Sequence, residues 1–518
     1  MALLALQRLM TLQRDRQRRR RQVRARNGLI ASVDKRKGSP CQQDGDGDSH
    51  AGKIMRYSIP DLPEDIWRHI HSLLPLRDAA RAACLSHAFL HSWRCLPNLT
   101  LNRDVLCSEA HACGGKFSDK IDRILRNHSG CLKIFELDLD DLSCRYLDSW
   151  LRVAVTPGIE ELTLRPYRRK YNFPCSLLSD GVRNSIRYLE LGFCAFRPTA
   201  ELGPLRSLTS LYLRAVHITG DELECLLSNA LALEQFVLIY CKEIICLKIP
   251  CMLQQLSYLK VIGCWRLQVI ESKAPNLSNF FLSGKILKLS LGETLQMKNL
   301  TMYHSNVVCY ARAELSSTMP NLETVVLSSG EEVVNTPMLP TKFLYLKHLS
   351  IYMRSGLTFS PSYDYFSLVS FLDASPSLET LILDVAQVLM KHESVFGGSS
   401  HLRQMPEHRH CYLKSVKITG FSSAKGLVEL ACYILKNAVS LECLTLDTDY
   451  GFRCSGKNDT TCLRLNNTML REAHRAVTAI RAYIEDKVPS TVKLTVLEPC
   501  RRCHARRGWP LRLRNKLL

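Results

Sequence analysis

Apolar residues recur along this chain in a fixed short spacing, at i, i+3 and i+5. From about residue 130 onward the instances are Ile159-Leu162-Leu164, Ile186-Leu189-Leu191, Leu208-Leu211-Leu213, Leu233-Phe236-Leu238, Leu256-Leu259-Val261 and Leu277-Phe280-Leu282. They continue at Leu322-Val325-Leu327, Leu346-Leu349-Ile351, Leu378-Leu381-Leu383, Leu413-Val416-Ile418 and Leu441-Leu444-Leu446, with weaker copies at Ile286-Leu289-Leu291 and Met297-Leu300-Met302. One triplet carries no information, because apolar residues are common. The step between triplets does. The central residues from Leu162 to Phe280 advance by 27, 22, 25, 23 and 21 positions. Such a period predicts one short strand per unit, stacked on its neighbours, with the two closely spaced apolar residues pointing inward.

The period and the triplet are those of leucine-rich repeats, so the expected fold class is α/β. It is a leucine-rich-repeat solenoid, a curved parallel sheet with a helical or irregular convex side. The repeat also favours Asn or Cys at i+8, where a small side chain can serve backbone groups at the turn, and Cys194, Cys241 and Cys264 fall there. Between Leu349 and Val416 the steps lengthen to 32 and 35, which predicts insertions at 355–370 and 387–410. On the sheet's concave face, Thr163, Glu190, Tyr212, Val237 and Lys260 alternate with the buried positions and are candidate readers of a bound partner.

Residues 57–101 have a different pattern. Pro63 suits a helix start, with Glu64 and Asp65 favourable beside the helix N-terminus. Ile66, Ile70, Leu73 and Leu74 follow at helical spacing until Pro75. Asp78 stands near the start of a second, alanine-rich helix running to about Cys84. Ser86 can cap a third that carries Phe89, Leu90 and Trp93 and stops before Pro97. Three helices this short cannot bury all their apolar surface, which leaves some for a partner.

Charge narrows the function classes. Of the net +20 over 518 residues, residues 1–40 carry +10 and residues 500–518 carry +7, so the body is close to neutral at +3. A nucleic-acid-binding domain needs a basic face on the fold itself. The expectation is no specific nucleic acid, with binding through the tails a minor alternative. No apolar run approaches the length of a membrane span, so no membrane association is expected. The arginine run at 14–26 fits a nuclear localisation signal, a transit peptide or a solvated tail. The apolar start is broken by Gln7 and Arg8 and lacks the layout of a secretory signal. The 22 cysteines are therefore read as reduced thiols, in the nucleus and/or cytoplasm.

The sequence carries few signs of bond chemistry. There is no P-loop, no G-x-G-x-x-G after a strand, no H-E-x-x-H and no G-x-S-x-G elbow in the sequence, so no catalytic residues, cofactors or metal are assigned and an enzyme is not expected. Cys500-Arg501-Arg502-Cys503-His504 fits a haem-attachment pattern, but haem attachment requires an exported, oxidising setting. Zinc would require a second ligand pair. Cys454 and Cys462 qualify by proximity alone. His408 and His410 fall in the polar insertion and read as loop.

Residues 59–101 resemble the F-box, in the form seen in plant F-box/leucine-rich-repeat proteins. The matching elements are Leu62-Pro63-Glu64-Asp65, Ile70, Leu73-Leu74-Pro75, Arg77-Asp78-Ala79, Cys84-Leu85-Ser86, and Trp93-Arg94 with Leu96-Pro97-Asn98-Leu99. One departure is His87-Ala88-Phe89, where the family has a basic residue and Trp; Phe89 keeps an aromatic. The segments Leu413-Lys414-Ser415-Val416-Lys417-Ile418-Thr419-Gly420-Phe421, Glu429-Leu430, Tyr433-Ile434-Leu435-Lys436-Asn437-Ala438 and Leu441-Glu442-Cys443-Leu444 resemble the FBD-type C-terminal region of that family, and read as strand, helix and strand.

The organisation expected is a disordered basic tail at 1–56, the F-box at 57–103, the solenoid at 104–410, FBD-like terminal repeats at 411–498 and a basic tail at 499–518. The resemblance implies the substrate-recognition subunit of an SCF-type (Skp–cullin–F-box) E3 ubiquitin ligase. Its F-box would bind the Skp-type adaptor of the cullin ligase core, and its repeats an unknown target protein. Leu62, Pro63, Ile66, Ile70, Leu74 and Pro75 would supply the adaptor contact. The alternative is a leucine-rich-repeat interaction scaffold without a ligase role.

Overall fold

A computed structural model of the chain describes residues 63–107, 116–139, 146–166, 171–285, 287–292, 295–332, 341–354, 363–386, 392–397, 401–404, 407–449 and 465–500. The chain divides into two units, Met1–Leu62 and Pro63–Leu518. The N-terminal tail, residues 501–518 of the C-terminal tail, Leu62, Ile286, Cys454, Cys462, Cys503 and His504 lie outside the described residues.

Three helices come first, Glu64–Leu73, Leu76–Ala82 and His87–Arg94. Pro63 and Pro75 each stand at the N-cap of the helix that follows. Proline lacks an N–H and has a preset φ, so it starts a helix at little cost and stops the one before it. Ser86 caps the third helix, its hydroxyl accepting from the Phe89 N–H at 3.1 Å.

The chain then enters a fifteen-stranded sheet in which every described pairing is parallel. Its first strand, Asn98–Leu101, lies inside the segment that carries the F-box signature, so the sheet begins earlier than residue 104. The i+3 residues stand side by side in one continuous row, from Leu99, Phe135, Leu162 and Leu189 through to Val416, Leu444 and Leu494. The i+5 residues make a second row, Leu101 to Val496, in the same register. Apart from the last strand, both rows are buried. Each such side chain contributes about 1.5–3 kcal/mol when removed from water, and a slip of one residue would turn a whole strand's apolar set outward. The repeat spacing thus fixes the register of the sheet.

Three strands of the sheet lie outside the triplets read from sequence: Asn98–Leu101, Ile134–Leu139 and Lys493–Leu497. One weak triplet goes elsewhere. Lys288–Ser290, which holds Leu289, pairs with Val269–Ser272 in a separate three-stranded sheet completed by Cys246–Ile249. The FBD-like segment forms strand Ser415–Thr419, helix Lys425–Asn437 and strand Cys443–Asp447. A further helix, Asn467–Tyr483, precedes the last strand.

The turns after the strands share a backbone device. Phe193, Ala215, Tyr240 and Gly263, each at i+7, all have φ between 50° and 61°. Their N–H groups still bond the neighbouring turn, as Tyr240 does to the Ile262 carbonyl at 2.7 Å and Gly263 to that of Ser283 at 2.7 Å. The left-handed step places the i+8 cysteine inside. Cys194 and Cys241 are fully buried, and the Cys241 thiol donates to the Leu213 carbonyl at 3.5 Å. Burial pushes the Cys194 thiol up to about 12, which keeps it neutral. Fifteen described cysteines are free.

Gly263 illustrates how tight the stack is. A Cβ there would sit 2.4 Å from the Tyr240 ring, in a backbone conformation with φ of 61°. Gly263→Ala should therefore cost about 2–4 kcal/mol in urea unfolding. Gly284→Ala is the matched control. Its Cβ meets nothing closer than 4.0 Å and its φ is not in the left-handed range, so it should leave stability unchanged or raise it by up to about 1 kcal/mol. Equal losses at both sites would contradict this reading of the turn.

Candidate interaction surfaces

The first surface is on the N-terminal helices. Ile66, Ile70 and Leu73 recur at i, i+4 and i+7 of Glu64–Leu73, which places them on one side of the helix. Ile66 is 42% exposed and Leu73 72%, with Leu74 at 38% and Leu85 at 74%. Pro63 and Pro75 are also exposed, and Ile70 is half-buried. The other side of the helix is packed. Trp67 meets the Phe89 ring edge-on with centroids 4.7 Å apart, and His71, buried, meets it at 5.1 Å. Phe89, the departure from the family's Trp, thus fills the aromatic position between the first and third helices.

This helical unit is fixed to the sheet. Ala79 and Leu96 belong to the same buried core as Leu99 and Phe135, with Leu76 and Trp93 packed against it. Arg77 donates from one guanidinium nitrogen to the carbonyls of Val105 and Cys107, both at 3.0 Å. The Pro97 carbonyl accepts from the N–H groups of Lys133 and Ile134. The exposed apolar residues are therefore held on a rigid mount.

The second surface is the concave face of the sheet. Of the five candidate readers, Tyr212 and Lys260 remain half-exposed, whereas Thr163, Glu190 and Val237 are buried. The ladder explains this. Val237 stands between Tyr212 and Lys260, and Thr163 between Glu136 and Glu190, so longer neighbours cover the shorter side chains. Positions two residues along each strand share this face, and they supply what the single row missed. Tyr188 packs on Tyr212 with centroids 5.1 Å apart. Phe281 packs on Tyr303 at 5.2 Å, and the Lys260 ammonium lies 4.9 Å from the Phe281 centroid. The row therefore presents aromatic faces and a cation to solvent.

Beside the aromatic row lies a charge cluster. Arg165 makes a two-pronged contact with Glu190, at 2.8 and 2.9 Å, and reaches Glu136 at 3.2 Å and Asp138 at 3.8 Å. The Tyr188 hydroxyl donates to Glu190 at 2.8 Å. Burial opposes the charge on Glu190, but the Arg165 fork, Tyr188 and nearby Arg214 outweigh it and hold the carboxyl below its ordinary value. Asp138 goes the other way, raised by burial and by Glu136, Glu190 and Asp104 against the pull of Arg165.

A cavity of about 880 Å³ opens beside the three-stranded sheet, lined by Trp265, Arg266, Lys285, Lys288 and Glu314 among others. No described helix is long and apolar enough to cross a membrane.

Similarity to known proteins agrees with this architecture. Residues 124–501 match the family described as the At1g61320/AtMIF1 LRR domain, and residues 59–100 match the F-box domain. The chain belongs to the At1g61320/AtMIF1 leucine-rich-repeat family and carries an F-box. Its relatives include the F-box/FBD/LRR-repeat protein At1g13570 of Arabidopsis thaliana, 24% identical over 75% of this chain and 91% of that protein. The putative FBD-associated F-box protein At1g61330 of the same plant is 22% identical over 77% and 92% of the two chains. The F-box/LRR-repeat protein At5g02910 is 24% identical over 85% and 87%. As an F-box/leucine-rich-repeat protein the chain is, at family level, of the adaptor type that joins an F-box to a recognition surface.

The charge cluster gives a pH-dependent prediction. Because the Glu190 pKa is depressed on folding, its stabilising contribution is complete above the unfolded value of about 4.3 and fades as pH falls through the lower folded value. Arg165→Met would leave Glu136, Asp138 and Glu190 without their cation. It should cost about 3 kcal/mol at pH 7. In chemical unfolding across pH, the gap to the wild type should narrow below about pH 4 as the carboxyls protonate. A gap independent of pH would contradict the assignment.

Proposed function

We propose that this chain is the substrate-recognition subunit of a cullin-based E3 ubiquitin ligase, with the F-box helices binding a Skp-type adaptor and the concave sheet binding a target protein. One observation carries the reading. Four large apolar side chains, Ile66, Leu73, Leu74 and Leu85, are exposed within a unit of three helices that is itself anchored to the solenoid core. Exposed apolar surface concentrated in this way marks a protein-binding face. The contact set is Pro63, Ile66, Ile70, Leu74 and Pro75 from the sequence, extended by Leu73 and Leu85. Leu62 belongs to the same motif.

The chain would act by proximity, without making or breaking bonds. Holding a target on the concave face raises the effective concentration of its lysines near a charged conjugating enzyme. Tyr212, Tyr303 and Lys260 suit that role, since aromatic side chains give large contact areas for little conformational cost.

The test is co-purification of the full chain with the adaptor, comparing the wild type with Ile66→Asp plus Leu73→Asp. Each change should cost about 2 kcal/mol of binding, a combined loss of roughly a thousandfold. Both positions are exposed, so the variant should keep its stability within about 1 kcal/mol. A wild-type chain that does not associate with the adaptor would leave a repeat scaffold without a ligase role.

A further inference from the structure

His408 and His410 lie in the insertion that precedes the FBD-like strand, and the sequence offers nothing to distinguish them from loop histidines. The fold gives them a partner. Asp373, on helix Val369–Ala374, lies with both, and one ligating atom from each of the three falls within 4.8 Å of the others. We infer that Asp373, His408 and His410 form a binding site for a borderline divalent transition metal, of which zinc is the representative. The inference is independent of the ligase reading.

Three features support it. The first is distance. The His410 Nε2 and an Asp373 carboxylate oxygen are 3.6 Å apart. Ligands about 2.0–2.1 Å from a tetrahedral zinc are separated by about 3.3–3.4 Å, so the pair needs to close by little. Two imidazoles and one carboxylate match the ligand preferences of zinc and of its neighbours in the first transition row.

The second is preorganisation. His410 pairs with Ala438 in a parallel bridge, and its N–H donates to the Asn437 carbonyl at 3.0 Å. The His408 N–H donates to the Asn437 side-chain oxygen at 3.0 Å. The two imidazoles lie with centroids 5.1 Å apart. The insertion is held again at Arg403, whose backbone N–H and guanidinium bind the fully buried Glu429 while the guanidinium also grips Asp364.

The third is the supporting shell. Tyr433, buried on helix Lys425–Asn437, donates its hydroxyl to Asp373 at 2.6 Å and lies 3.0 Å from the His410 Nε2. A hydrogen bond from an outer group is what orients a ligating carboxylate. For the His410 Nε2 to bind metal, its proton must reside on Nδ1. Metal entry therefore exchanges one neutral tautomer for the other and the hydrogen bond to Tyr433 for a coordinate bond. Half-exposed Asp373 and exposed His408 leave the site open to solvent on one side. The ion would tie the insertion, a convex helix and the terminal repeats together.

The test uses the full chain carrying Cys500→Ser and Cys503→Ser, which removes the C-terminal cysteine pair. Zinc is titrated by calorimetry, and cobalt(II) serves as the spectroscopic probe. The expected result is one equivalent bound, a visible d–d spectrum without near-ultraviolet thiolate absorption, and a higher unfolding temperature with zinc. His408→Ala, at an exposed position, should weaken binding at least tenfold while the metal-free protein unfolds as before. Asp373→Asn should weaken it as well. Binding unchanged in His408→Ala, or a cobalt spectrum with thiolate absorption, would overturn the site.

Discussion

Everything in this molecule depends on one constraint, the lateral register of the parallel sheet. Two rows of apolar side chains run through it from strand Asn98–Leu101 to strand Lys493–Leu497, each residue beside its counterpart in the next repeat. A strand with period two has a single register that buries both rows. Once that is set, the third set of positions is forced onto the concave face, the left-handed residues at i+7 fall in line, and the cysteines at i+8 turn inward. Tyr188 meets Tyr212, and Arg165 meets Glu190, because their strands have no other alignment.

Much of this was legible in the sequence because the spacing that encodes it is short and repeated. Where legibility failed, the reasons were physical. The first strand was hidden because Leu96, Leu99 and Leu101 have the triplet spacing but sit inside the F-box signature, so one motif masked another. Leu132, Phe135 and Leu137 have it too, isolated by a 36-residue step from Leu99. The last strand follows a 50-residue step from Leu444 that includes helix Asn467–Tyr483, and its inward residues Leu494 and Val496 are half-buried. The triplet at Leu289 and Leu291 misled in the opposite direction. Spacing alone cannot tell the main sheet from the smaller one.

Surface properties were less legible, because they depend on neighbours distant in sequence. Glu190 looks like a free concave carboxylate until Arg165, 25 residues away, is seen to cover it. Phe89 departs from the family's Trp, and the fold places it against both Trp67 and His71. Leu73 and Leu85 are more exposed than Ile66 and Leu74, which the motif singles out. The register builds an aromatic, charged face on the sheet, and the short helices present a separate apolar one. The two faces are joined through one buried core that includes Ala79 and Leu96.

On the proposed reading, these two faces serve different partners. Hydrogen exchange of the full chain, measured with and without the Skp-type adaptor, tests it most directly. Added protection is expected in residues 63–94, with the concave strands Tyr258–Ile262, Asn279–Ser283 and Asn299–Tyr303 unchanged. Protection on those strands, or none in the three helices, would contradict it.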